Sequence, residues 1–442
     1  MTKPRTADPG RCDHAVHTQR QQRPRASVTL LRDARSFLPR RRRTARLANM
    51  RIRHLTTLAG AVVLTCLLVQ VHVLPVMAAA DTDTSPVTAV GRLSGVNFDP
   101  NKGTLDGSPV DHLPDHIRLL DIQLPDDGAP QRADWSPDGK RLVFLDAPFG
   151  DLWEYDLATG ASRNLTETSV LHKGVLRAHH LINGDVALCA VTERSADGPE
   201  GDRFRGELWV LQRPLGTRAP VRLGESCWEG IAVSKQPGST RIAWNQSTID
   251  FTKPNVIIEA LVGKSKILTG RIVYRNGRPR IADRRIALDK RDVSLDTPAV
   301  EAQDFRSLPD GDADSDDELI FSAYFHKGGQ AMGVNLDTGA VADHTSWSLF
   351  YEEAEGIDPS GRYLMVERDL AITLFPGLVD IWRLPLDGSG TFERMTTFNH
   401  YKGFGANNPV VSPDGTQMAF GLKVEGGAEG EGNGILLMDL SR

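Results

Sequence analysis

The sequence predicts an all-β fold, a six-bladed β-propeller whose last blade is completed by an N-terminal strand. Three observations predict it. A strand–turn–strand unit comes round six times, most clearly around Pro-Asp-Gly turns. Further short apolar strands follow each copy, filling a unit of about forty residues, the size of a propeller blade. The chain also stops on a strand with no outer partner, while one orphan strand stands ahead of the first unit.

The first unit is the clearest. Residues 134–144 read as strand, turn and strand, with Pro137 fixing φ, Asp138 bonding its own backbone and Gly139 accepting positive φ. A third strand follows at 152–157, and a fourth ends at Thr166. The turn returns at 182–185, 236–238, 308–311, 358–361 and 412–415. Third strands accompany it at 208–211, 256–258, 332–336, 381–384 and 435–440. Between 237 and 310 the spacing lengthens, which predicts an insertion holding an extra hairpin at 272–281 around Asn276-Gly277. The strand at 117–124 supplies the strand missing from the last blade, which closes the ring and covers an exposed sheet edge.

Composition bounds the rest. With 442 residues, 40% of them hydrophobic, the chain buries a real core, and four cysteines do not make a disulfide scaffold. The net charge of −5 conceals a split. Residues 1–80 carry 15 Lys+Arg against 3 Asp+Glu, which leaves 37 against 54 on residues 81–442, a net of −17. A body this acidic repels phosphate, which excludes nucleic acid and anionic membrane as its partners. Residues 50–80 read as a signal peptide: Arg51 and Arg53, an apolar run from 55 to 76, a break at Pro75, then Ala78-Ala79-Ala80. A membrane anchor is the competing reading. Cleavage leaves no stable membrane span and a secreted or periplasmic protein. Residues 1–49, with Arg40 to Arg43, read as disordered or upstream of the true start at Met50, and 81–116 as a strap before the propeller at 117–442.

The run Trp135-Ser136-Pro137-Asp138-Gly139-Lys140-Arg141-Leu142-Val143-Phe144, followed by Leu152-Trp153, Gly160 and Leu165-Thr166, resembles the TolB-like six-bladed propeller repeat. Residues 412–420 are a second good copy. The resemblance covers roughly 117–442 as architecture and implies a propeller in an extracytoplasmic compartment. The chain departs from the TolB translocation protein ahead of the propeller. About 40 residues stand there in place of a folded α/β domain, which argues against a role in a Tol–Pal complex.

In a propeller the first strand of each blade lines the channel, so the residues ahead of each turn are the candidates for chemistry. The ligand-binding candidates are Arg132, Arg177, Trp228, Gln303, Asn407 and Asn408. The triplets Glu229-Gly230-Ile231 and Glu355-Gly356-Ile357 repeat two blades apart, and point two carboxylates across one channel. Such a pair suits general acid and base work on a glycosidic bond, with His179 and His400 nearby as further catalytic candidates. Two functions follow: a binding or scaffolding module holding a protein or oligosaccharide at the channel mouth, or a carbohydrate-active hydrolase or uronate lyase. The lyase reading is loosely similar to oligogalacturonate-lyase propellers, without their cluster of several His with a Gln near the C-terminus. His179 and His180 are strand neighbours, so one of them faces the channel unless the strand is bulged.

Asp310, Asp312, Asp314 and Asp316 alternate along a turn and can offer oxygens to calcium, against the plainer reading of an acidic surface loop. Cys189 and Cys227 are the only thiols beyond the signal, and a disulfide and two buried thiols both fit.

Overall fold

The computed structural model describes residues 98–442, except 126–127, 195–201, 249–262, 294–298, 309–315, 325, 328, 346–349, 372–376 and 428–431. The expected leader and basic segment therefore lie outside the described residues, as do Asp310, Asp312 and Asp314.

The chain is all-β. After a short β1 (Ile117–Leu119) come four strands that pair in order as one antiparallel sheet: β2 (Gln131–Trp135), β3 (Arg141–Leu145), β4 (Leu152–Asp156) and β5 (Ser162–Asn164). A second sheet holds β6 (Val175–His180), β7 (Val186–Ala190), β8 (Glu207–Leu211) and β9 (Val221–Ser226). The third holds β10 (Ile231–Val233), β11 (Arg241–Ser247), β12 (Ser265–Arg275) and β13 (Arg278–Asp289).

Next come β14 (Ala299–Arg306), β15 (Glu318–Tyr324), β16 (Gly329–Asn335) and β17 (Val341–Asp343). A single parallel bridge, Gly329 to Tyr351, joins them to the following group in one eight-stranded sheet, and Ile320 and Ala331 pack on Ala354 and Leu364 of that group. That group is β18 (Tyr351–Ile357), β19 (Tyr363–Asp369), β20 (Asp380–Pro385) and β21 (Glu393–Arg394). The last comprises β22 (Phe404–Val411), β23 (Gln417–Val424) and β24 (Ile435–Asp439), with β1 antiparallel to β24 on its outer side. Among the described residues the strands thus fall into six groups of four, in a propeller-like arrangement.

The turn chemistry is as the sequence predicts. Ser136 Oγ donates to Asp138, whose carboxylate accepts from the Lys140 N–H, and Gly139 sits at φ 66°. Ser412, Asp414 and Gly415 repeat the arrangement.

The third sheet corrects one expectation. The hairpin at Asn276-Gly277 is not an extra element, because β12 and β13 are themselves the third and fourth strands. The strand expected at 256–258 falls outside the described residues.

Apolar clusters lie between successive sheets. Val143 and Leu152 meet Val175 and Leu188 between the first and second, and Leu142, Phe144 and Trp153 meet Ala419 and Leu437 between the first and the last. Trp135 Nε1 donates to the Val410 carbonyl across that last seam at 3.0 Å. The strands β2, β6, β10, β14, β18 and β22 stand innermost, each against the next. Residues 98–112 lie against the fifth and sixth groups, with Asp99 bonded to Arg394 at 2.7 Å and Leu105 bridged to Tyr401.

Candidate functional site

Five of the six innermost strands carry a register irregularity against their partner. The extra residue falls within 131–134, 175–177, 302–304, 354–356 and 407–410. A bulge breaks the alternation of a strand and re-aims a side chain. At or beside these points stand Arg132, Arg177, Gln303, Glu355 and Asn408, and all five line one cavity of about 260 Å³. Arg132, Glu229 and Asn408 take φ of 52°, 55° and 50°, a left-handed backbone that these residues adopt at a cost. Gly230 is required for a different reason. A Cβ there would lie 2.5 Å from Glu301 Cγ and 2.6 Å from Asn245 Nδ2.

The cavity opens at the turn end of the sheets, where Pro137, Pro237, Pro359 and Pro413 line it. On its wall Asp134 gathers three partners. His179 Nδ1 lies 3.1 Å from one carboxylate oxygen, the His180 N–H donates to the other at 2.7 Å, and Lys235 Nζ donates at 3.0 Å. Burial alone would raise the Asp134 pKa, but Lys235 and the two histidines hold it well below the carboxylate range. Burial lowers the His179 pKa in spite of Asp134, so its imidazole is neutral near pH 7. Opposite, burial pushes Asp304 up to about 6.

A second cavity, about 40 Å³, continues the channel below, sharing Arg132, Arg177, Glu355 and Asn408 with the first. Here the charges interlock. Glu229 takes Arg132 on one oxygen at 2.5 Å and Arg203 on the other at 3.0 Å. Burial works against its charge, but Arg132, Arg203 and Arg177 overcome it and hold the pKa at about 2. Glu301 accepts from Arg177 at 3.4 Å and from the Tyr324 hydroxyl at 2.5 Å. Tyr324 and Tyr351 both reach Glu353, which lies directly across the β18–β19 ladder from Glu367.

Like charges facing each other in this way repel. Burial, then Glu367 and Glu301, push Glu353 up to about 8; burial, then Glu367 and Glu353, raise Glu355 well above the carboxylate range. Glu355 thus gives up its proton at a higher pH than Glu229 does. For Arg177 burial opposes the charge, but Glu355, Glu301 and Glu229 more than offset it and its pKa is raised. Its two side-chain contacts, to Asn408 and Glu301, are both long, at 3.4 Å. Glu353, Glu355 and Glu367 each offer an oxygen within 4.8 Å of the others, a spacing that suits one divalent ion.

Among the sequence-predicted residues, Glu229, Glu355, His179, Arg132, Arg177, Gln303 and Asn408 thus line the two cavities. Three stand elsewhere. His400 ends a 3-10 turn ahead of β22, at the far end of that strand from the mouth, with Nε2 3.5 Å from Asp99. Trp228 is buried against Phe204, and Asn407 is buried on β22, one residue before the bulge turns Asn408 into the channel. The repeated Glu-Gly-Ile triplets both bring their carboxylate to the lower cavity: Glu355 is a bulge residue within β18, and Glu229, just ahead of β10, stands between Trp228 and Gly230, which both bond to Asn245.

Both Asp316 oxygens accept hydroxyl protons, from Ser234 and Ser239 at 2.5 Å each, and Arg241 lies beside them. Engaged in this way, Asp316 closes a turn. Cys189 and Cys227 are joined as a disulfide, which decides between the two readings left open by the sequence.

Reading the first strands alone misses Arg203, Tyr324, Glu367 and Lys423, which also line the lower cavity. Three of them sit near the ends of second strands, β15, β19 and β23, antiparallel to the channel strands and therefore beside their starts. A polar residue closing an otherwise apolar run, as Lys423 does after 418–422, is the available signal.

No family model and no curated protein matches the chain. Solved structures similar to it include TolB from Acinetobacter baumannii, at 10% identity over 73% of this chain and 66% of that one, with a TM-score of 0.41. A gluconolactonase from Xanthomonas campestris shows 11% identity over 80% and 99%, with a TM-score of 0.45. An oligogalacturonate lyase from Vibrio parahaemolyticus shows 10% over 73% and 93%, with a TM-score of 0.42.

Proposed function

We propose that the chain is an extracytoplasmic, closed six-bladed propeller that binds a small carboxylate-bearing sugar at its channel mouth. The observation that carries the ligand is Arg177. It is a buried, permanently charged fork on the cavity floor, held among the described residues by two long contacts, beside Glu353 and Glu355, whose pKa values burial and their acidic neighbours raise. A ligand carboxylate can take both guanidinium nitrogens at shorter range. Gln303, Asn408, His179 and Lys235 around it suit hydroxyl groups. The Cys189–Cys227 disulfide supports an oxidising compartment, and no helix among the described residues is long and apolar enough to cross a membrane. A divalent ion, if the ligand brings one, has its oxygens at Glu353, Glu355 and Glu367 rather than at Asp316.

The test is a thermal shift of the full chain with galacturonate and with galactose. A ligand that binds only the folded state raises the melting temperature by mass action. Galacturonate should raise it, galactose should not, and Arg177→Gln should abolish the effect. Equal shifts from the two sugars, or none, overturn the reading.

One observation favours chemistry over binding alone. A neutral His179 oriented by Asp134 and a proton-holding Glu355 line the same cavity, with pKa values pushed in the directions a base and an acid need. On this second reading, turnover of uronate oligosaccharides falls by about 10²–10⁴-fold in His179→Ala. Absence of turnover in the unaltered chain leaves binding as the function.

A further inference from the structure

The β12–β13 hairpin carries a charge pattern that neither the fold nor the cavity uses. Its register pairs Arg271, which stands opposite Arg241 at the edge of β11, with Ala282, and beyond the end of β11 it pairs Val273 with Arg280 and Arg275 with Arg278. Residues directly opposite share a face, so Arg271, Arg275, Arg278 and Arg280 stand together on one side of the ribbon. All four are exposed, and none has an acidic partner among the described residues. The other side, Ile272, Tyr274, Pro279 and Ile281, is turned to the body. Ile272 is buried in the core cluster that Tyr274 and Ile281 pack against.

Two polar contacts brace it on the neighbouring sheet: the Tyr274 hydroxyl donates to Asp185 at 2.5 Å and Gln212 Nε2 donates to the Gly277 carbonyl at 2.8 Å. The hairpin is therefore a supported arm, not a loose loop. Nearby Arg284 and Arg285 are engaged, by Glu225 and the Leu336 carbonyl, which sets the four free ones apart.

Folding does not favour this pattern. Arg275 opposite Arg278 is a like-charge pair that destabilises a ladder. It also sits on a body whose residues 81–442 carry a net −17, so acid was available nearby. The direction matters too. β12 runs parallel to β10, since each is antiparallel to β11, so the hairpin tip lies at the same end as Gln236 and Pro237, which line the cavity mouth. Three strand spacings, about 14 Å, separate the innermost strand from the outermost.

We propose that this arginine face is a docking strip for an acidic polysaccharide, a polymer of uronates that runs outward from the cavity mouth. The choice of a uronate polymer rests on the acidic-sugar reading of the cavity. Along a strand alternate side chains recur at about 7 Å, so Arg278 and Arg280 stand one such step apart and Arg271 and Arg275, with Val273 between them, two steps, while Arg275 faces Arg278 across the ladder at about 5 Å. The four forks thus form a short two-row track that meets carboxylates two at a time. A narrow chain can follow a two-stranded ribbon while avoiding the acidic surface around it. A bilayer or a nucleic-acid duplex needs a broad cationic footprint, which a body of net −17 lacks.

The experiment measures binding of the full chain to polygalacturonate at several salt concentrations. It compares the unaltered protein with R275Q/R278Q/R280Q and, separately, with R278E, which places opposite charges across the ladder and keeps the hairpin paired. The basic segment at 40–43 is common to all three proteins, so the difference between them reports the hairpin. Both variants should bind at least about tenfold more weakly, and the deficit should shrink as salt rises. Their melting-temperature response to galacturonate should be unchanged.

Equal affinity in variants and parent overturns the proposal. So does tighter binding of the parent to a single-stranded oligonucleotide or to phosphatidylglycerol vesicles at the same ionic strength. Hairpin-dependent polymer binding without any response to galacturonate would sink the cavity reading and leave the strip standing.

Discussion

At the scale of single residues, the channel separates its carboxylates by their neighbours. Glu229 faces two guanidinium groups and stays ionised, whereas Glu353 faces Glu367 and keeps its proton. Each makes a prediction. Glu229→Gln preserves shape but removes the anion that Arg132 and Arg203 share, and breaking a buried pair from one side costs about 3–5 kcal/mol. Urea denaturation should show that loss, and an unchanged midpoint would mean the arginines find other acceptors. Glu353 acts through pH. Its pKa is about 8 in the folded protein against 4.5 as the ordinary value, so the native state holds the extra proton between the two. The stability it contributes is full below pH 4.5 and is lost as pH rises through 8. The urea midpoint should therefore fall from pH 5 to pH 8, and less steeply in Glu353→Gln. Because Glu355 and Glu367 titrate with it, the slope should flatten further in the double variant with Glu355→Gln.

At the scale of elements, what was legible in the sequence is what local chemistry dictates. Pro137-Asp138-Gly139 and Asn276-Gly277 announce their turns because φ and side-chain acceptors act within four residues. The channel position of Arg132, Arg177 and Glu355 was legible too, from polar residues ahead of each turn. The bulges that aim them were not, since one extra residue has no composition of its own and shows only against a partner strand. Glu367 was missed for the same reason: it joins the site through its register with Glu353. Pairing of Cys189 with Cys227 depended on a Cα separation of 6.0 Å between β7 and the segment entering β10, which no spacing rule supplies. Gly206 packs on that bridge, where a Cβ would lie 2.6 Å from Cys189 Sγ. With the cysteines 38 positions apart in sequence, replacing both by serine should cost about 4 kcal/mol by loop-closure entropy. The urea midpoint in the presence and absence of dithiothreitol checks this, and a midpoint indifferent to reductant would contradict it.

At the scale of the whole molecule, the proposed closure of the ring is the property on which the reading of the cavity depends, because the first and last sheets both supply its lining. The seam has two parts. One is apolar, with Phe144 and Trp153 packed on Ala419 and Leu437, and the other is the three-residue β1, laid antiparallel on β24. Within β1 only Ile117 is buried, in a cluster with Met418, Phe420 and Met438, while Arg118 and Leu119 are exposed. This asymmetry permits a clean test. Ile117→Asp puts an unpaired charge into that cluster and frees the outer edge of β24, a row of unpaired backbone groups ready to join another chain. If β1 is the clasp, the melting temperature should drop by about 5 °C, the size expected for a loss of a few kcal/mol in a chain this long. Size-exclusion chromatography should then show concentration-dependent association, as the open edge seeks a partner. Arg118→Asp, on the exposed side of the same strand, should do neither. Were Ile117→Asp as stable and as monomeric as its neighbour, β1 would be an ornament on an edge, and the ring would have to be held by the apolar seam alone. Galacturonate separates these cases further. A clasp that shapes the channel should, once broken, weaken the thermal response that depends on Arg177, because Asn408 and Arg132 reach the cavity from the two sheets it joins.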